Sequence, residues 1–322
     1  GETVTLCGWV HTRRDHGGLI FVDLWDKYGM TQVVLNPQID QLAHEHAQSI
    51  RGNFVIAVTG NVRARPDDMV NQKLKTGMIE VYVDSLNILN PSETPPISPW
   101  EPQDTSEALR LKYRFLDLRG PNLQRNLKTR YDITRVARNE LHKNGFMEVE
   151  TPMLTKSTPE GARDYLVPSR LNPQKFYALP QSPQLFKQIL MVSGMDRYFQ
   201  IVKCFRDEDL RFDRQPEFTQ IDIEMSFGNE KLIFQIIEEM MAEIYKEVLD
   251  VKIDTPFPVL KYQDAIDRFG TDKPDIRFDM EIVDLGEIVQ GTSFKVFAQV
   301  LKSGGQVRAL NVKNSADVLS RK

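Results

Sequence analysis

The sequence has 322 residues, of which 41% are hydrophobic and 27% charged, and its formal net charge is −4. These values fit a globular protein with a large core and more than one domain, and an acidic chain does not as a whole attract nucleic acid. No run of about 18 apolar residues occurs, which excludes a transmembrane helix, so we predict no membrane partner. The first residues lack the layout of a secretory signal, and their strand-like start leads us to expect that a short leader precedes them.

The cysteine and histidine patterns indicate neither a disulfide nor a metal site. Cys7 and Cys204 lie in predicted strands without a CxxC partner, so we expect buried free thiols in a cytoplasmic protein. The run His-Glu-His at 44–46 is not HExxH, because position 48 is Gln48, and residues two apart do not share a helix face. We therefore expect His44 and His46 at the surface.

Residues 1–90 alternate between short strands and turns. The pattern predicts strands at 3–12, 18–24, 30–35, 54–65 and 78–89, with a helix at 40–50. Five strands with a helix after the third is the order of an OB-fold barrel. Such barrels often bind single-stranded nucleic acid by stacking bases on aromatic rings in a basic groove, and Arg14, Phe21 and Gln32 lie on the first three strands. From this segment alone, an oligosaccharide-binding or protein-binding barrel remains an alternative.

A proline-rich segment from Asn90 to Pro102 predicts an interdomain linker. Beyond it, apolar periodicity predicts helices at 122–144 and 231–249. The apolar stripe of the first of these helices is predicted to contain Leu127, Tyr131, Val136 and Leu141. Basic residues are concentrated between 110 and 143, a pattern that attracts phosphate locally but that more often marks a solvated helix face.

The most informative stretch is a predicted hairpin with strands at 202–208 and 217–227. Because side chains alternate along a strand, one face of each strand is expected to carry these groups: Val202, Cys204, Arg206 and Glu208 on the first, and Phe218, Gln220, Asp222 and Glu224 on the second. An arginine fork suits phosphate oxygens, and an aromatic ring suits a base. For an isolated strand pair, a solvated face with fortuitous charge is the alternative.

The series FRDE…RQPEFTQIDIE in this hairpin resembles motif 2 of the class II aminoacyl-tRNA synthetases, in the form found in bacterial-type aspartyl-tRNA synthetases. GFMEVETPMLTK at 145–156 resembles motif 1, in which a strand ending at Pro152 pairs two subunits. The resemblance implies a multidomain fold, with an OB-fold β-barrel before an α+β catalytic domain on an antiparallel sheet and the start of an α+β insertion domain. The expected boundaries are 1–92 for the anticodon-binding barrel, 93–121 for the linker, 122–275 for the catalytic core and 276–322 for the insertion.

The same resemblance implies the residues of the active site. Catalytic roles are expected for Arg206, which would hold the ATP α-phosphate, and for Glu208. ATP contacts are expected from Arg206, Asp207, Glu208, Gln215 and Phe218, whose ring would stack on adenine. Aspartate contacts are expected from Glu160 on a mobile loop, from Ser182, Gln184 and Lys187 in QSPQLFK, and from Arg206 and Asp222. Lys187 would pair with the side-chain carboxylate of aspartate, and Asp222 would help to hold its ammonium group.

In the barrel, the resemblance implies anticodon contacts from Arg14, Phe21 and Gln32. His16 stands where enzymes restricted to tRNA(Asp) tend to carry leucine, and Met69 stands where asparagine is usual. Both departures are similar to the relaxed form of the family, which also charges tRNA(Asn). Whether tRNA(Asn) is a substrate therefore stays open at this stage.

The implied activity is that of an aspartate–tRNA ligase, a cytoplasmic homodimer that uses L-aspartate, ATP with Mg²⁺ and tRNA(Asp). All histidines precede residue 143, and no GxxxxGK or GxGxxG loop occurs, so triad, P-loop and Rossmann chemistry are not expected. Nothing in 1–322 matches motif 3 of the class, whose neighbourhood binds the metal in the family. We therefore expect the metal ligands to lie elsewhere and residues 1–322 alone to form no aspartyl adenylate.

Two other functions are alternatives to this one. A catalytically silent tRNA- or RNA-binding protein would need none of Arg206, Glu208 and Lys187, which are all present. Relatives that amidate aspartate without tRNA lack the OB domain, which this sequence is predicted to have.

Overall fold

The computed structural model describes residues 1–100, 105–158, 160–278, 280–315 and 318. The end of the predicted linker, position 159 of the predicted mobile loop and most of 316–322 in the predicted insertion lie outside the described residues. The chain forms two compact units, Gly1–Arg130 and Tyr131–Lys322, and the finer division into four segments stays a prediction. Within the described part of the chain, none of the helices combines the length and apolar character that crossing a membrane requires.

The first unit contains a closed barrel of five strands. They are β1 (Thr3–His16), β2 (Leu19–Asp26), β3 (Gly29–Leu35), β4 (Val55–Ala64) and β5 (Ile79–Asn90), in the order β1-β2-β3-β5-β4, with helix α1 (Gln41–Gln48) between β3 and β4. All neighbours are antiparallel except β3 and β5, which are parallel. The predicted OB-fold order of strands and helix is confirmed.

Alternation of side chains builds the barrel core. Ile20, Val22 and Val33 are each 0% exposed, and they pack with other aliphatic residues inside the barrel. The same alternation corrects one expectation: Cys7 faces outward and is exposed, because its neighbours in sequence on either side point inward. β1 also runs further than predicted, to a turn at Gly17 and Gly18, both of which have positive φ.

Helix α1 starts at an N-cap, where the Asp40 carboxylate accepts a hydrogen bond from the Ala43 amide. His46 is exposed, as expected, but His44 is half-buried and its Nε2 is enclosed. The helix therefore turns its His44 face partly onto the barrel, since the buried Ala43 and Ala47 flank that position.

The tryptophans of the chain gather at one cluster beside the barrel. The Trp9 and Trp25 rings lie 5.5 Å apart, and Trp100 from the linker packs edge-on against Trp25 at 5.1 Å and against His11 at 4.7 Å. The Arg119 guanidinium lies 4.9 Å from the Trp9 ring centre, and burial lowers the pKa of this arginine. The cluster attaches the linker segment to the barrel wall.

Two short helices, α2 (Glu107–Lys112) and α3 (Arg114–Asp117), follow the linker. Buried Asp117 accepts hydrogen bonds from Arg110 at 3.1 Å and from Arg114 at 2.6 Å. Part of the predicted basic patch is therefore neutralised by an ion pair inside this module.

The second unit is built on a sheet of β6 (Met147–Glu148), β9 (Arg197–Phe205) and β10 (Glu217–Met225) in the order β10-β9-β6, with β10 antiparallel and β6 parallel to β9. Helices α4 (Pro121–Lys143) and α6 (Glu230–Leu249) contribute to the core below it, with Val136, Leu141, Ile236 and Met240 buried against Phe199. Leu127 and Tyr131 are exposed, contrary to the predicted stripe, because α4 reaches this core only from Ile133 onwards.

The central hairpin differs from its prediction on the first strand. β9 covers 197–205 rather than 202–208, and Arg206 and Glu208 follow the strand instead of lying on it. The pairing register explains the end: Phe205 faces Glu217, and the Arg206 amide then donates to the Pro216 carbonyl and closes the loop. On β10 the predicted alternation holds, with Ile221, Ile223 and Met225 against the core and Asp222 on the opposite face.

The remaining elements are short. β7 (Leu166–Pro168) pairs with β8 (Phe176–Ala178), and α5 (Gln184–Val192) packs on β9 and β10. After α6 come α7 (Tyr262–Phe269), β11 (Ile282–Asp284), α8 (Lys295–Lys302) and β12 (Arg308–Leu310), and β11 pairs with β12.

Candidate active site

A polar cavity of about 530 Å³ opens beside the turn of the central hairpin. It is lined by Arg206, Glu208, Arg211, Asp213, Arg214, Gln215 and Phe218. The Arg206 guanidinium carbon lies 5.1 Å from the centre of the Phe218 ring, and Glu208 pairs with Arg214 at 3.2 Å. The structure thus brings together four of the five residues predicted to contact ATP. Asp207 follows Arg206 in the chain, and its amide donates to the Arg163 carbonyl at 3.0 Å.

Arg206 has a free donor inside the protein. Its Nε is buried and has no hydrogen-bond partner among the described residues. Buried donors of this kind are normally satisfied, and a guanidinium suits a phosphate or carboxylate oxygen. The neighbouring ring offers a flat apolar surface, so this cavity combines a phosphate-binding cation with a platform for a base.

A second polar cluster lies further along the same face of β10. The Lys187 ammonium on α5 donates to Asp222 Oδ1 at 2.9 Å and lies 3.3 Å from Glu224 Oε2. Burial alone would lower the pKa of Lys187, but the hydrogen bonds and charges of Asp222 and Glu224 raise it above its ordinary value. Lys187 therefore stays charged, with two of its N–H groups engaged and one remaining for a ligand.

Negative charge exceeds positive charge in this cluster. Asp222 Oδ2 is buried without a hydrogen-bond partner in the part of the chain that the structure describes. The carboxylates of Glu224 and Glu160 both act on Asp222 electrostatically, whereas Lys187 supplies the positive charge. Such an arrangement favours a ligand that brings a cationic group, for example an ammonium, to the open oxygen of Asp222.

Glu160 is held in place by two hydroxyl groups. Ser182 Oγ donates to Glu160 Oε2 at 2.9 Å, and Thr158 Oγ1 donates to Oε1 at 3.1 Å. Gln184 begins α5, three residues before Lys187, and is half-buried. The predicted aspartate residues of the QSPQLFK segment and the loop are thus brought to one side of the sheet.

Cys204 connects the two polar regions. Cys204 pairs with Phe218 across β9 and β10. The pKa of its thiol is influenced by the charges of four residues: Arg206, Asp222, Glu160 and Lys187. Burial is the largest effect and raises the pKa of the thiol to about 11. The phosphate-type cavity and the acidic cluster are therefore adjacent on one sheet.

Several polar residues of this region were not predicted from the sequence. Gln181 is 1% exposed and bonds to the loop that carries Glu160. Buried Gln200 accepts hydrogen bonds from Tyr198 and Thr151, each at 2.9 Å. Glu224, which contacts Lys187, could have been identified from the sequence, because the alternation along β10 places it on the same face as Asp222.

The barrel carries a separate polar surface on β1, β2 and β3. Arg14 lies opposite Phe21 on the neighbouring strand. Its guanidinium donates a hydrogen bond to the Asp23 carboxylate at 3.0 Å and another to Gln32 Oε1 at 3.5 Å. Gln32 also donates to Glu80 at 3.1 Å. The structure thus groups Arg14, Phe21 and Gln32, and it adds the acidic residues Asp23 and Glu80, which the sequence reasoning missed.

The other predicted site residues, His16, Met69 and Pro152, are exposed. His16 is exposed at the end of β1, and Met69 is 64% exposed in a short turn at Asp67–Met69. Pro152 is exposed beyond β6. Among the described residues, no group of three or more His, Cys, Asp or Glu side chains is placed so that it could hold a metal ion.

Two family models match the chain. The model described as an OB-fold nucleic acid binding domain matches residues 4–89. The model described as tRNA synthetases class II (D, K and N) matches residues 106–315. The first match covers the barrel, and the second covers both polar regions of the central sheet.

Named relatives align along almost the whole chain. A protein of Desulfatibacillum aliphaticivorans named aspartate–tRNA(Asp/Asn) ligase is 58% identical over 316 residues, which cover 98% of this chain and 53% of that protein. A protein of Syntrophomonas wolfei with the same name is 57% identical over 321 residues, covering 100% and 55%. The chain thus spans about half the length of the curated relatives it matches.

Among solved structures, the asparaginyl-tRNA synthetase from Pyrococcus horikoshii complexed with asparaginyl-adenylate has a similar fold. Its TM-score is 0.67 at 26% sequence identity, with 78% of this chain and 56% of that chain covered.

Proposed function

The chain belongs to the class II tRNA synthetases of the D, K and N group, and from this premise we propose that the protein is an aspartate–tRNA ligase. It activates L-aspartate with ATP to aspartyl adenylate and then transfers the aspartyl group to the 3′ end of tRNA(Asp). The names of its relatives support aspartate as the amino acid. Because the chain spans about half of those relatives, the activity is assigned to the protein encoded by the complete gene.

One observation carries this proposal: a cation beside an aromatic ring lies on the same sheet as a buried, acid-rich cluster around one lysine. The first arrangement suits the α-phosphate and base of a nucleotide. The second suits a small molecule with both an ammonium group and a side-chain carboxylate. Aspartate has both, and its α-carboxylate is already a nucleophile.

The chemistry needs alignment more than acid–base catalysis. An oxygen of the α-carboxylate forms a bond to the α-phosphorus of ATP, the bond from that phosphorus to the bridging oxygen breaks, and pyrophosphate leaves. Arg206 stabilises the charge that grows on the α-phosphate. Mg²⁺ would be bound together with ATP, because this ion is usually held by one or two carboxylates and by the phosphate oxygens of the substrate.

The amino-acid cluster would orient the nucleophile. Asp222 Oδ2, which has no hydrogen-bond partner among the described residues, accepts a hydrogen bond from the substrate ammonium. The remaining N–H of Lys187 donates to the side-chain carboxylate, while its contacts to Asp222 and Glu224 hold it in place. Asparagine lacks the negative charge that would pair with this lysine, so the site discriminates against it.

Aspartate-dependent exchange of pyrophosphate into ATP tests the proposal. The protein encoded by the complete gene is expected to catalyse this exchange with aspartate and not with asparagine, and residues 1–322 alone are expected to be inactive. A complete protein that binds tRNA but exchanges no pyrophosphate would instead support the catalytically silent alternative.

We further propose a relaxed tRNA choice, a homodimer with Pro152 near its interface, and a cytoplasmic location. The relatives' names include tRNA(Asn), and exposed His16 and Met69 are the positions expected to relax the specificity. Charging assays with both tRNAs should show that His16→Leu lowers the ratio of tRNA(Asn) to tRNA(Asp) charging. An unchanged ratio would contradict the assignment of His16 to tRNA specificity.

The proposed homodimer is a separate point, and sedimentation of the complete protein tests it.

A further inference from the structure

Gln181 makes an unusual set of contacts for a buried amide. Its Nε2 donates to the Ala162 carbonyl at 2.9 Å and to Asp164 Oδ1 at 2.5 Å, and its Oε1 accepts from the Ala162 amide at 3.2 Å. The residue is 1% exposed. A buried carboxamide satisfied on both ends fixes the groups that it bonds.

All of these contacts go to one loop. The segment 157–164 contains Glu160, and a bond from Ser157 Oγ to Asp164 Oδ2 at 2.5 Å joins its two ends. Arg163, which follows Ala162 in this loop, accepts a hydrogen bond through its carbonyl from the amide of Asp207. Asp207 lies between Arg206 and Glu208, which both line the polar cavity. Gly161, with φ of +100° and open space around it, gives the loop tip freedom that Gln181 counteracts.

Gln181 and its neighbour divide the task of holding the loop. Gln181 binds the backbone of Ala162, whereas Ser182 binds the side chain of Glu160 directly. The hydrogen bonds that the Gln181 side chain makes with described residues go to this loop, and none of them goes to the sheet. Removing them therefore releases the loop and leaves the packing of β9, β10 and α6 in place.

We propose that Gln181 is a positioning residue that latches the 157–164 loop, so that Glu160 is held against Ser182 beside the Lys187–Asp222 pair. For aspartate binding, this inference rests on the proposed function. Without the latch, Glu160 samples many positions, and the loop must be ordered again each time aspartate binds. The loss falls on the KM for aspartate, and the KM for ATP is affected little.

The first test measures the loop and needs no activity. Gln181→Met removes every hydrogen bond at nearly constant volume, and Gln235→Met makes the same change at an exposed helix position in the same unit. In residues 1–322, amide hydrogen exchange of the 157–164 segment should become about tenfold faster in Gln181→Met, with exchange of β9 and β10 unchanged. Gln235→Met should match the unsubstituted protein in both segments.

The second test uses a compensating pair in the protein encoded by the complete gene. Gln181→Glu places a carboxylate against Asp164 and should raise the aspartate KM about 10-fold to 100-fold, with kcat and the ATP KM within about threefold. Adding Asp164→Asn supplies an amide donor to the new carboxylate and keeps an acceptor for Ser157. The double variant should therefore regain part of the affinity for aspartate, because the bond between positions 181 and 164 is restored while the Ala162 carbonyl still lacks its donor. A general loss of stability would not allow this recovery.

The outcomes separate the two proposals. Unchanged loop exchange in Gln181→Met overturns the latch. Faster loop exchange in Gln181→Met together with an unchanged aspartate KM in Gln181→Glu overturns the role of the latch in aspartate binding. If the complete protein without substitutions shows no aspartate-dependent activity, the proposed function fails, while the exchange data still decide whether Gln181 holds the loop.

Discussion

The polar cluster around Arg14 in the barrel and the cluster around Lys187 beside the central sheet differ in their exposure to water. The barrel encloses a continuous aliphatic core, and its polar cluster lies on the strand surface, where the Arg14 side chain is 57% exposed although it is paired with Asp23. Lys187 and Asp222 are buried beside the central sheet, each with a 10% exposed side chain, and one oxygen of Asp222 has no hydrogen-bond partner among the described residues. The Arg14–Asp23 pair therefore stays near water, although the barrel also contains the buried pair of Arg65 and Glu80, whereas the Lys187–Asp222 pair is removed from water.

This difference indicates two kinds of recognition. An exposed ion pair contributes about 0–1 kcal/mol, so a large ligand can replace one partner at little cost. Breaking a buried pair costs about 3–5 kcal/mol, so a buried site is useful only for a small ligand that supplies the missing group in the correct geometry. The Arg14–Asp23 pair of the barrel fits the first description, and the Lys187–Asp222 pair on the face of β10 fits the second.

The largest expected effect comes from removing the buried lysine. Lys187→Met leaves Asp222 and Glu224 without their cation, so the second unit should lose about 3–5 kcal/mol of unfolding free energy in urea titrations. Lys203→Met is the matched control, because Lys203 pairs with Glu217 on the same hairpin and both side chains are 53% exposed. The control should change by less than about 1 kcal/mol. Equal losses in the two variants would remove the distinction between buried and exposed pairs.

Arg206→Lys keeps a positive charge beside Phe218 but loses the planar fork that suits a phosphate. Pyrophosphate exchange by the protein encoded by the complete gene should fall about 10²-fold to 10³-fold, as when one transition-state donor is removed. Arg170→Lys, at an exposed position of the same unit, serves as the control and should retain full exchange. A loss below about threefold in Arg206→Lys would exclude a phosphate-binding role for this residue.

Each region contains one cysteine, which allows a comparison by pH. Burial raises the pKa of Cys204 from 9.0 to about 11, so the unfolded chain releases this proton at a lower pH than the folded chain does. The contribution to stability is therefore complete below pH 9 and is lost as pH rises towards 11, by about 1.4 kcal/mol per unit.

Urea unfolding at pH 8 and pH 10 measures this effect. The unsubstituted chain should lose about 1.4 kcal/mol more than Cys204→Ala between these values. Cys7→Ala, on the exposed side of β1, should behave like the unsubstituted chain. Identical pH dependence in all three proteins would show that Cys204 titrates in the folded state as it does in the unfolded state.

The smallest effect is expected at the barrel surface. Arg14→Gln should weaken tRNA binding by about 1 kcal/mol and reduce the salt dependence of binding by about one phosphate contact. Arg51→Gln, an exposed arginine in the same unit, is the control of equal charge change. Binding measured at two salt concentrations separates the variants, and equal slopes for both would argue against a specific role for Arg14.

Elements with a clear period were predictable from the sequence. Alternation and turn glycines located the barrel strands, and the same alternation placed Asp222 and Glu224 together on β10. The end of β9 was predicted too late, because the charged residues at 206–208 continued the alternating pattern, whereas the strand ends at Phe205, which pairs with Glu217.

Contacts between distant residues were not predictable from the pattern. Lys187 and Asp222 are 35 positions apart, and Gln181 reaches Ala162 over 19 positions. No local periodicity encodes such pairs, since they depend on how α5 and the loop dock on the sheet. From the family resemblance, Lys187 and Asp222 were expected to contact the substrate. Their pairing with each other and the role of Gln181 emerged only from the folded geometry.

The packing of Trp9, Trp25 and Trp100 in one cluster has an optical consequence. All tryptophans of the chain lie in Gly1–Arg130, so selective excitation of indole reports on that unit and is blind to the other. The far-ultraviolet dichroism, by contrast, is dominated by long helices such as α6. Melting curves recorded by emission and by dichroism will therefore coincide only if both units unfold in a single cooperative transition.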